Sequence, residues 1–432
     1  MDNLPSYLDR DGLVKYFPLM DEGSDSLTSY ILAIAAEAGY EIPEYAKNRM
    51  QKGLIGFVEG RVVRYSALPT ADLAIRKVAA LAALSRGETE INPRWLDGFS
   101  IEPNLWPTSA VIDWYTLLQR APNLPQADTR RAEAEQILRA RLNFQGTIMT
   151  FSTERSDALW WLMNSADQNA NRLLIALLEQ DNWAPDMPRL VRGALGRQHH
   201  GRWDTTLANA WGVLAMEKFS AKFESTSVSG KTSTRLADAQ RDYSWGDDKL
   251  TSFTLPWPKG SANLSVKHEG AGRPWAMVQS LAAIPLKQPF SSGYRITRTV
   301  TPIEQQKPGE WNRGDVLRVR LDLEAQSDMS WVVVNDPIPA GSAILGTGLG
   351  KDSKILSGGE VKKGWVWPAF EERTLDSFRA YYEFVPKGKW TVEYTLRLNN
   401  GGSFKLPETR VEAMYAPEMF GEIPNQGVVV KP

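Results

Sequence analysis

Val316-Leu317-Arg318-Val319-Arg320-Leu321-Asp322-Leu323 alternates along its whole length. Leu317, Val319, Leu321 and Leu323 fall on one side, and Val316, Arg318, Arg320 and Asp322 on the other. A period of two marks a strand with one buried face. The alternation returns in Val392, Tyr394, Leu396 and Leu398 against Thr391, Glu393, Thr395 and Arg397. It returns again in Phe378, Ala380, Tyr382 and Phe384 against Arg379, Tyr381 and Glu383. Between those two runs, Pro386-Lys387-Gly388-Lys389 reads as a hairpin connection. Short strands punctuated by turns predict an antiparallel β-sandwich over 289–432. The shorter stretch 223–288, which opens on the Ser/Thr-rich run Glu224 to Thr234, is expected to form a small β domain or part of one.

Upstream the period changes. Leu27, Tyr30, Ile31, Ile34 and Ala35 recur at i, i+3 and i+4, the spacing of one helix face. Pro43 opens a second helix carrying Tyr45, Met50, Leu54, Ile55 and Val58. Further helices are predicted over 70–85, 107–120, 128–143, 156–164, 166–178, 188–196 and 204–219. The breaks between them hold Pro, Gly, Asn or Asp. Short connections make sequence neighbours antiparallel neighbours in space. Leu173 to Leu178 is apolar all round, so inner helices need outer ones to cover them. Residues 1–222 are therefore expected to build an α/α toroid of helical hairpins, with a stacked solenoid as the competing arrangement. The fold class is multidomain α + β, helical hairpins first and antiparallel β-sandwich domains after.

Composition narrows the function. A chain of 432 residues exceeds one ordinary core and suggests two to four domains. A net charge of -1 supplies no basic field, so no nucleic-acid partner is expected. No run approaches the roughly 18 apolar residues of a membrane span. The start, Met1-Asp2-Asn3-Leu4-Pro5, lacks the features of a secretory signal. There is no cysteine, which excludes disulfides, cysteine-ligated zinc and cysteine nucleophiles. With three histidines, a histidine-rich metal site is not expected, and no cofactor is called for.

Candidates for chemistry are few. His199 and His200 precede Gly201-Arg202-Trp203 between two predicted helices. They could serve as a general base in a cleft at the end of the helical domain, with Trp203 beside them. No acidic partner stands out near them, and an ordinary polar loop is the competing reading. Gly346-Thr347-Gly348-Leu349-Gly350-Lys351 departs from a phosphate-binding loop at Leu345 and at Asp352. Trp160-Trp161 could line a sugar cleft, although such pairs are more often core. The acidic pairs Asp247-Asp248 and Glu371-Glu372 prove nothing without a spatial separation. No catalytic residue is assigned, and the chain is not expected to be an enzyme.

Several segments, in order, resemble one family. Gly201 to Ala215, with Trp203-Asp204-Thr205-Thr206 entering a small-residue helix, resembles the last helix of the thioester-domain toroid of alpha-2-macroglobulins and complement proteins. Asp11-Gly12-Leu13-Val14-Lys15-Tyr16-Phe17 and the run from Ser24 to Ala38 look like an earlier hairpin of that toroid. Asp336-Pro337-Ile338-Pro339-Ala340-Gly341 resembles a turn of the C-terminal domain in bacterial members, and Glu408 to Glu418 their closing strand. The resemblance implies the C-terminal part of a bacterial alpha-2-macroglobulin: a toroid truncated before its thioester hairpin, a small CUB- or macroglobulin-like β domain, and a terminal macroglobulin-like sandwich.

It further implies a periplasmic inhibitor that entraps proteases after cleavage of an upstream bait segment, with other envelope proteins as possible partners. The thioester needs a cysteine, so the parent is expected to belong to the subgroup without one. Met414-Tyr415 matches the pair that in bacterial relatives packs over the thioester site; here it would act as an interdomain lock. The competing readings are a carbohydrate-active enzyme, a polysaccharide lyase or glycosidase joining a toroid to sandwiches, and a pure protein-docking module.

Overall fold

The computed structural model describes residues 3–68, 70–87, 89–99, 102–146, 148–152, 159–199, 201–246, 252–272, 274–276, 278–280, 286–346 and 366–432. Among these, eight α-helices come first: α1 (Asp25–Ala38), α2 (Glu44–Val58), α3 (Leu73–Leu84), α4 (Thr108–Arg120), α5 (Ala127–Ala140), α6 (Ala166–Leu177), α7 (Met187–Leu195) and α8 (Thr206–Phe223). Strands β1 (Leu142–Gln145) and β2 (Ile148–Phe151) interrupt the helices. After α8 come β3 (Gly230–Leu236), β4 (Ala239–Trp245), β5 (Leu264–Glu269), β6 (Phe290–Ser292), β7 (Tyr294–Glu304), β8 (Trp311–Asn312) and β9 (Val316–Ala325). The chain continues with β10 (Met329–Pro337), β11 (Ala343–Ile344), β12 (Phe370–Arg373), β13 (Ser377–Val385) and β14 (Gly388–Arg397). It ends with β15 (Gly402–Phe404), β16 (Thr409–Ala413), β17 (Ala416–Ile423) and β18 (Val428–Lys431). The period change read from the sequence is a real change of architecture: helices, then largely antiparallel β-sheets, with one parallel pair between β8 and β18.

The chain divides into two compact units: Met1–Arg141 with Thr153–Asn169 and Ala283–Pro432, and Leu142–Ser152 with Ala170–Ala282. In the first unit, α1 to α4 pack side by side. The Ser24 side chain caps α1 by accepting from the Leu27 N–H, and Gly39 closes it in the left-handed conformation (φ 67°) that a β-carbon disfavours. The helical core gathers Leu32, Met50, Leu54, Phe57, Val78, Leu81, Tyr115 and Leu117.

The sandwich of the same unit joins a six-stranded sheet, β12-β13-β10-β16-β17-β6, to a four-stranded one, β11-β14-β9-β7. Its core holds Leu317, Val319, Leu321 and Leu323 from β9 and Tyr394, Leu396 and Leu398 from β14 and just beyond it. Asp336 lies fully buried within it. Its carboxylate accepts from Arg298 Nε at 3.0 Å and 3.1 Å and from the hydroxyls of Tyr394 and Thr409. A buried carboxylate is tolerated because every side of it is met by a donor.

In the second unit, Leu142 to Gln145 pairs with Ile148 to Phe151 in a hairpin. Helix α7 packs on β2, where Gly193 leaves room for the Met149 carbonyl that a side chain would strike. Strands β4-β3-β5 form a three-stranded antiparallel sheet.

Four expectations are corrected. The helix expected over 128–143 stops at Ala140, because Leu142 starts a strand. No helix runs through 159–164: Trp160 to Leu162 make a single 3₁₀ turn, ended by Met163 at φ 57°; residues 156–158 lie outside the described part. The link after Val385 is not a hairpin, since β13 pairs with β10 and β12 while β14 pairs with β9 and β11. The chain crosses from one sheet to the other there, and Asp328 accepts the Lys387 N–H at 2.7 Å. Finally, Phe384 is 46% exposed and Val385 is buried in its place. The cause lies across the ladder at Trp331, whose φ of 52° shifts the phase of β10 so that both Met329 and Val332 reach the core. Their partners Val385 and Tyr382 shift with them.

Candidate functional site

Asp9 organises the loop that precedes α1. Its carboxylate accepts from the N–H groups of Asp11 and Leu13 at 2.9 Å and of Gly23 at 2.8 Å, and it is paired with Arg64. Arg64 also donates to the Gly23 carbonyl at 2.9 Å and to Asp11 at 2.8 Å. Burial pushes the Asp9 carboxyl up, but the Gly23 amide and Arg64 outweigh it and hold it below its usual range. Gly12, at φ 91°, runs against the Arg49 carbonyl where a β-carbon has no room. The loop between Leu13 and Gly23 is thus closed at its base and projects Tyr16 and Phe17.

Those two rings meet the sandwich within the same compact unit. The Tyr16 ring centroid lies 3.8 Å from that of Trp331. Phe17 stacks on Phe370 at 4.8 Å with 14° between planes and leans on Tyr381 at 5.3 Å. The Tyr16 hydroxyl donates to Met163 Sδ at 2.7 Å, and Tyr30 donates to the Leu162 carbonyl at 3.2 Å. Trp160 packs against the sandwich core, while Trp161 Nε1 donates to Asp72 at 2.9 Å. A non-glycine residue at positive φ costs on the order of 1–3 kcal/mol. At Trp331 that strain coincides with the contact, turning the indole away from the core toward Tyr16.

Met414 and Tyr415 form the two-residue tip between β16 and β17, where Ala413 pairs with Ala416. The Met414 N–H donates to the Trp331 carbonyl at 2.8 Å, fixing the tip against the kinked strand. Met414 is 37% exposed. Burial, then the neighbouring Tyr30, pushes the Tyr415 phenol up to about 12. Burial likewise pushes Tyr16 well above its usual value, with Tyr415 and Tyr30 adding to it. Three phenols thus gather beside the aromatic contact.

The remaining candidates lie elsewhere. His199 is exposed and pairs its backbone with Arg202 in a tight turn. Its Nδ1 lies 3.2 Å from Asp204, so the acidic partner missing from the sequence reading is present five residues on. His200 lies outside the described residues. Trp203 is buried, donates from Nε1 to the Ala194 carbonyl at 2.9 Å, and covers Gly212 of α8 so closely that a β-carbon there would strike its ring. His268 sits on β5, Nδ1 2.9 Å from the Thr232 hydroxyl. Glu371 and Glu372 are each ion-paired, with Arg373 at 3.0 Å and Arg379 at 2.9 Å. The glycine-rich loop lies outside the described residues from Thr347 onward, as do Asp247 and Asp248. Among the described residues no group of three or more His, Asp or Glu could hold a metal ion, and no helix is long and apolar enough to cross a membrane.

Comparison with known proteins agrees with this architecture. Residues 293–418 match the bacterial alpha-2-macroglobulin MG10 domain. An alpha-2-macroglobulin homolog of Nostoc is 21% identical over 346 residues, covering 74% of this chain and 18% of that protein. The alpha-2-macroglobulin of Escherichia coli is 24% identical over 434 residues, covering 93% and 24%. The chain therefore spans about a quarter or less of the length of these relatives. Among solved structures, E. coli alpha-2-macroglobulin from domain MG7 to the C-terminus superposes with a TM-score of 0.69 at 15% identity, over 100% of this chain and 67% of that one. The Salmonella protein reacted with methylamine gives 0.68 at 19% identity, over 99% and 27%. Domain match, relatives and fold converge: residues 293–418 carry a bacterial alpha-2-macroglobulin MG10 domain, and the chain as a whole is similar to the C-terminal region of bacterial alpha-2-macroglobulins.

Proposed function

We propose that this chain is the non-catalytic C-terminal part of a protease-trapping inhibitor that guards the cell envelope from the periplasm. Its task in that inhibitor is mechanical: to hold the helical hairpins that carry Tyr16 and Phe17 to the terminal sandwich (289–432) until the trap is triggered. The observation that carries this reading is the joint itself. Tyr16 and Phe17 dock on Trp331, Phe370 and Tyr381, with the Met414-Tyr415 tip bonded to the Trp331 backbone.

With no cysteine in the sequence, no thioester can form within this chain. We place the parent in the subgroup that traps without a covalent bond, where the Met414-Tyr415 tip keeps its place as a contact with no reactive bond to shield. Proteases reach this protein through the full-length polypeptide, and other envelope proteins are its candidate partners.

The test is to mix the full-length polypeptide with a broad-specificity protease and assay a large protein substrate and a small peptide in parallel. A trap suppresses cleavage of the large substrate and spares the small one. Equal activity on both, after the polypeptide has been cut, would sink the proposal.

A further inference from the structure

Between α2 and α3, burial alternates over residues 62–66. Val62 donates its N–H to the Gly56 carbonyl at 3.0 Å; Arg64 is buried and held by Asp9, Asp11 and Gly23; the Ser66 hydroxyl donates to Asp72 at 2.5 Å. The residues between them, Val63 and Tyr65, are turned to solvent. Val63 is 63% exposed and Tyr65 85%, and Leu68, just beyond, is 49% exposed.

Single apolar side chains on a surface are ordinary. These three differ in that their backbone is fixed before anything binds. A segment anchored at Val62, Arg64 and Ser66 has little entropy left to lose on docking. Tyrosine offers a large rigid contact and is enriched where binding energy concentrates. Strand addition is disfavoured, because the Val63 carbonyl already accepts from Arg64 at 2.9 Å and the Arg64 carbonyl from Arg76 at 3.0 Å. Any occupant must meet the side chains.

Arg64 also makes this segment continuous with the established joint, since it grips the Gly23 carbonyl at the base of the loop that carries Tyr16 and Phe17. One stapled block therefore has two apolar projections. The first is filled by the aromatic socket of a β-sandwich, and the second is open among the described residues.

We propose that Val63, Tyr65 and Leu68 form a second docking surface, and that its occupant is another macroglobulin-type β-sandwich of the same polypeptide. The length of the relatives supplies the candidate: this chain spans 18% and 24% of two of them, and the E. coli structure it overlays begins at domain MG7. The inference rests on reading the chain as part of such a longer inhibitor. Failure of protease trapping would leave it standing, because the contact concerns the resting polypeptide.

The experiment treats this chain and the full-length polypeptide side by side with tetranitromethane and follows nitration of Tyr65 by peptide mass spectrometry. Tyr65 is expected to react at least about tenfold more slowly in the full-length polypeptide, the protection given by a contact worth ~1.4 kcal/mol. A double variant, Val63→Ser with Tyr65→Ser, should leave the melting temperature of this chain unchanged and, in the full-length polypeptide, speed the hydrogen exchange of the amides around residue 65 by about tenfold. Equal nitration rates in the two would overturn the proposal. So would protection that appears only when a separate protein is added, or a double variant that destabilises both alike.

Discussion

Tyr16 and Trp331 are 315 positions apart in sequence, and their ring centroids lie 3.8 Å apart with 36° between the planes. Each ring is aimed by its own backbone device. Tyr16 rides on a loop closed by Asp9 and Arg64, and Trp331 is turned outward by a strand residue at φ 52°. Strain on one side and a buried ion pair on the other are costs, and the stack they create is what offsets them. Truncating either ring should therefore open the joint without unfolding the elements behind it. Trp331→Ala is expected to lose about 3 kcal/mol at the joint, at the low end for a buried aromatic because the strained backbone relaxes. Hydrogen exchange would read it. Amides of Val14 to Gly23 should exchange faster while those of α3 and β9 keep their protection; unchanged exchange in the loop would show that the stack carries no energy.

The Met414-Tyr415 tip allows a finer test, because burial and charge leave a spectroscopic mark on the phenol. With its pKa pushed up to about 12, Tyr415 should stay protonated where an exposed tyrosine has ionised. Ultraviolet titration of the wild type against Tyr415→Phe isolates its contribution. The missing absorbance step should lie near pH 12, and a step near pH 10 would mean that the tip is exposed. Tyr415→Phe should keep the joint closed, since the ring is retained, and Tyr415→Ala should loosen it by about 2 kcal/mol.

How far the sequence could be read depended on whether the deciding partner was local. Strands β9 and β14 were legible because each is regular from end to end, so a period of two is the whole story. The alternation through Phe384 failed because a residue on another strand, Trp331, sets its phase. Pro386-Lys387 has the length of a hairpin turn, and nothing local says that β13 and β14 belong to different sheets. The hairpin of β1 and β2 did carry a signal, a two-residue gap with Gly146 at φ 59° between Leu142-Asn143-Phe144 and Ile148-Met149-Thr150. A preceding helical pattern drowned it. At the candidate site, Met414-Tyr415 was reached through family resemblance, whereas the pairing of Tyr16 and Phe17 with Trp331 and Phe370 leaves no mark on either segment alone.

Asp336 should be the least replaceable carboxylate of the sandwich. Arg298, Tyr394 and Thr409 all donate to it from different strands, and it is fully buried. Asp336→Ala strands the Arg298 guanidinium in the core, a loss of about 4 kcal/mol. A second change, Arg298→Met, should recover part of that loss by removing the unpaired charge. Urea unfolding of the single and double variants measures both steps. If the double variant were less stable than the single one, the ion pair would not be what Asp336 supplies.

Asp9 gives the joint a predictable dependence on pH. Burial raises its pKa, but the Gly23 amide, Arg64 and the Leu13 amide lower it further, and the net direction is downward from 3.8. A carboxyl whose folded pKa is depressed contributes stability that is fully present above its unfolded value and is lost as pH falls through the folded one. The staple at the base of the Tyr16 loop is therefore intact at neutral pH, and it fails only once acid has passed below the ordinary carboxylate pKa of 3.8 to the lower folded value. Asp9→Asn takes from Arg64 its buried carboxylate, leaving the partly exposed Asp11 to balance its charge, and should cost about 3 kcal/mol at pH 7. The gap to the wild type should begin to narrow below pH 3.8, where the unfolded carboxyl takes up its proton, and should close only once pH has fallen through the lower folded pKa. Hydrogen exchange at Leu13 and Gly23, compared between the two proteins from neutral pH down to the acid limit at which the chain still folds, follows the staple directly. A difference that stays constant across that range would mean that shape rather than charge at Asp9 holds the loop, and that the Tyr16 contact is insensitive to acid.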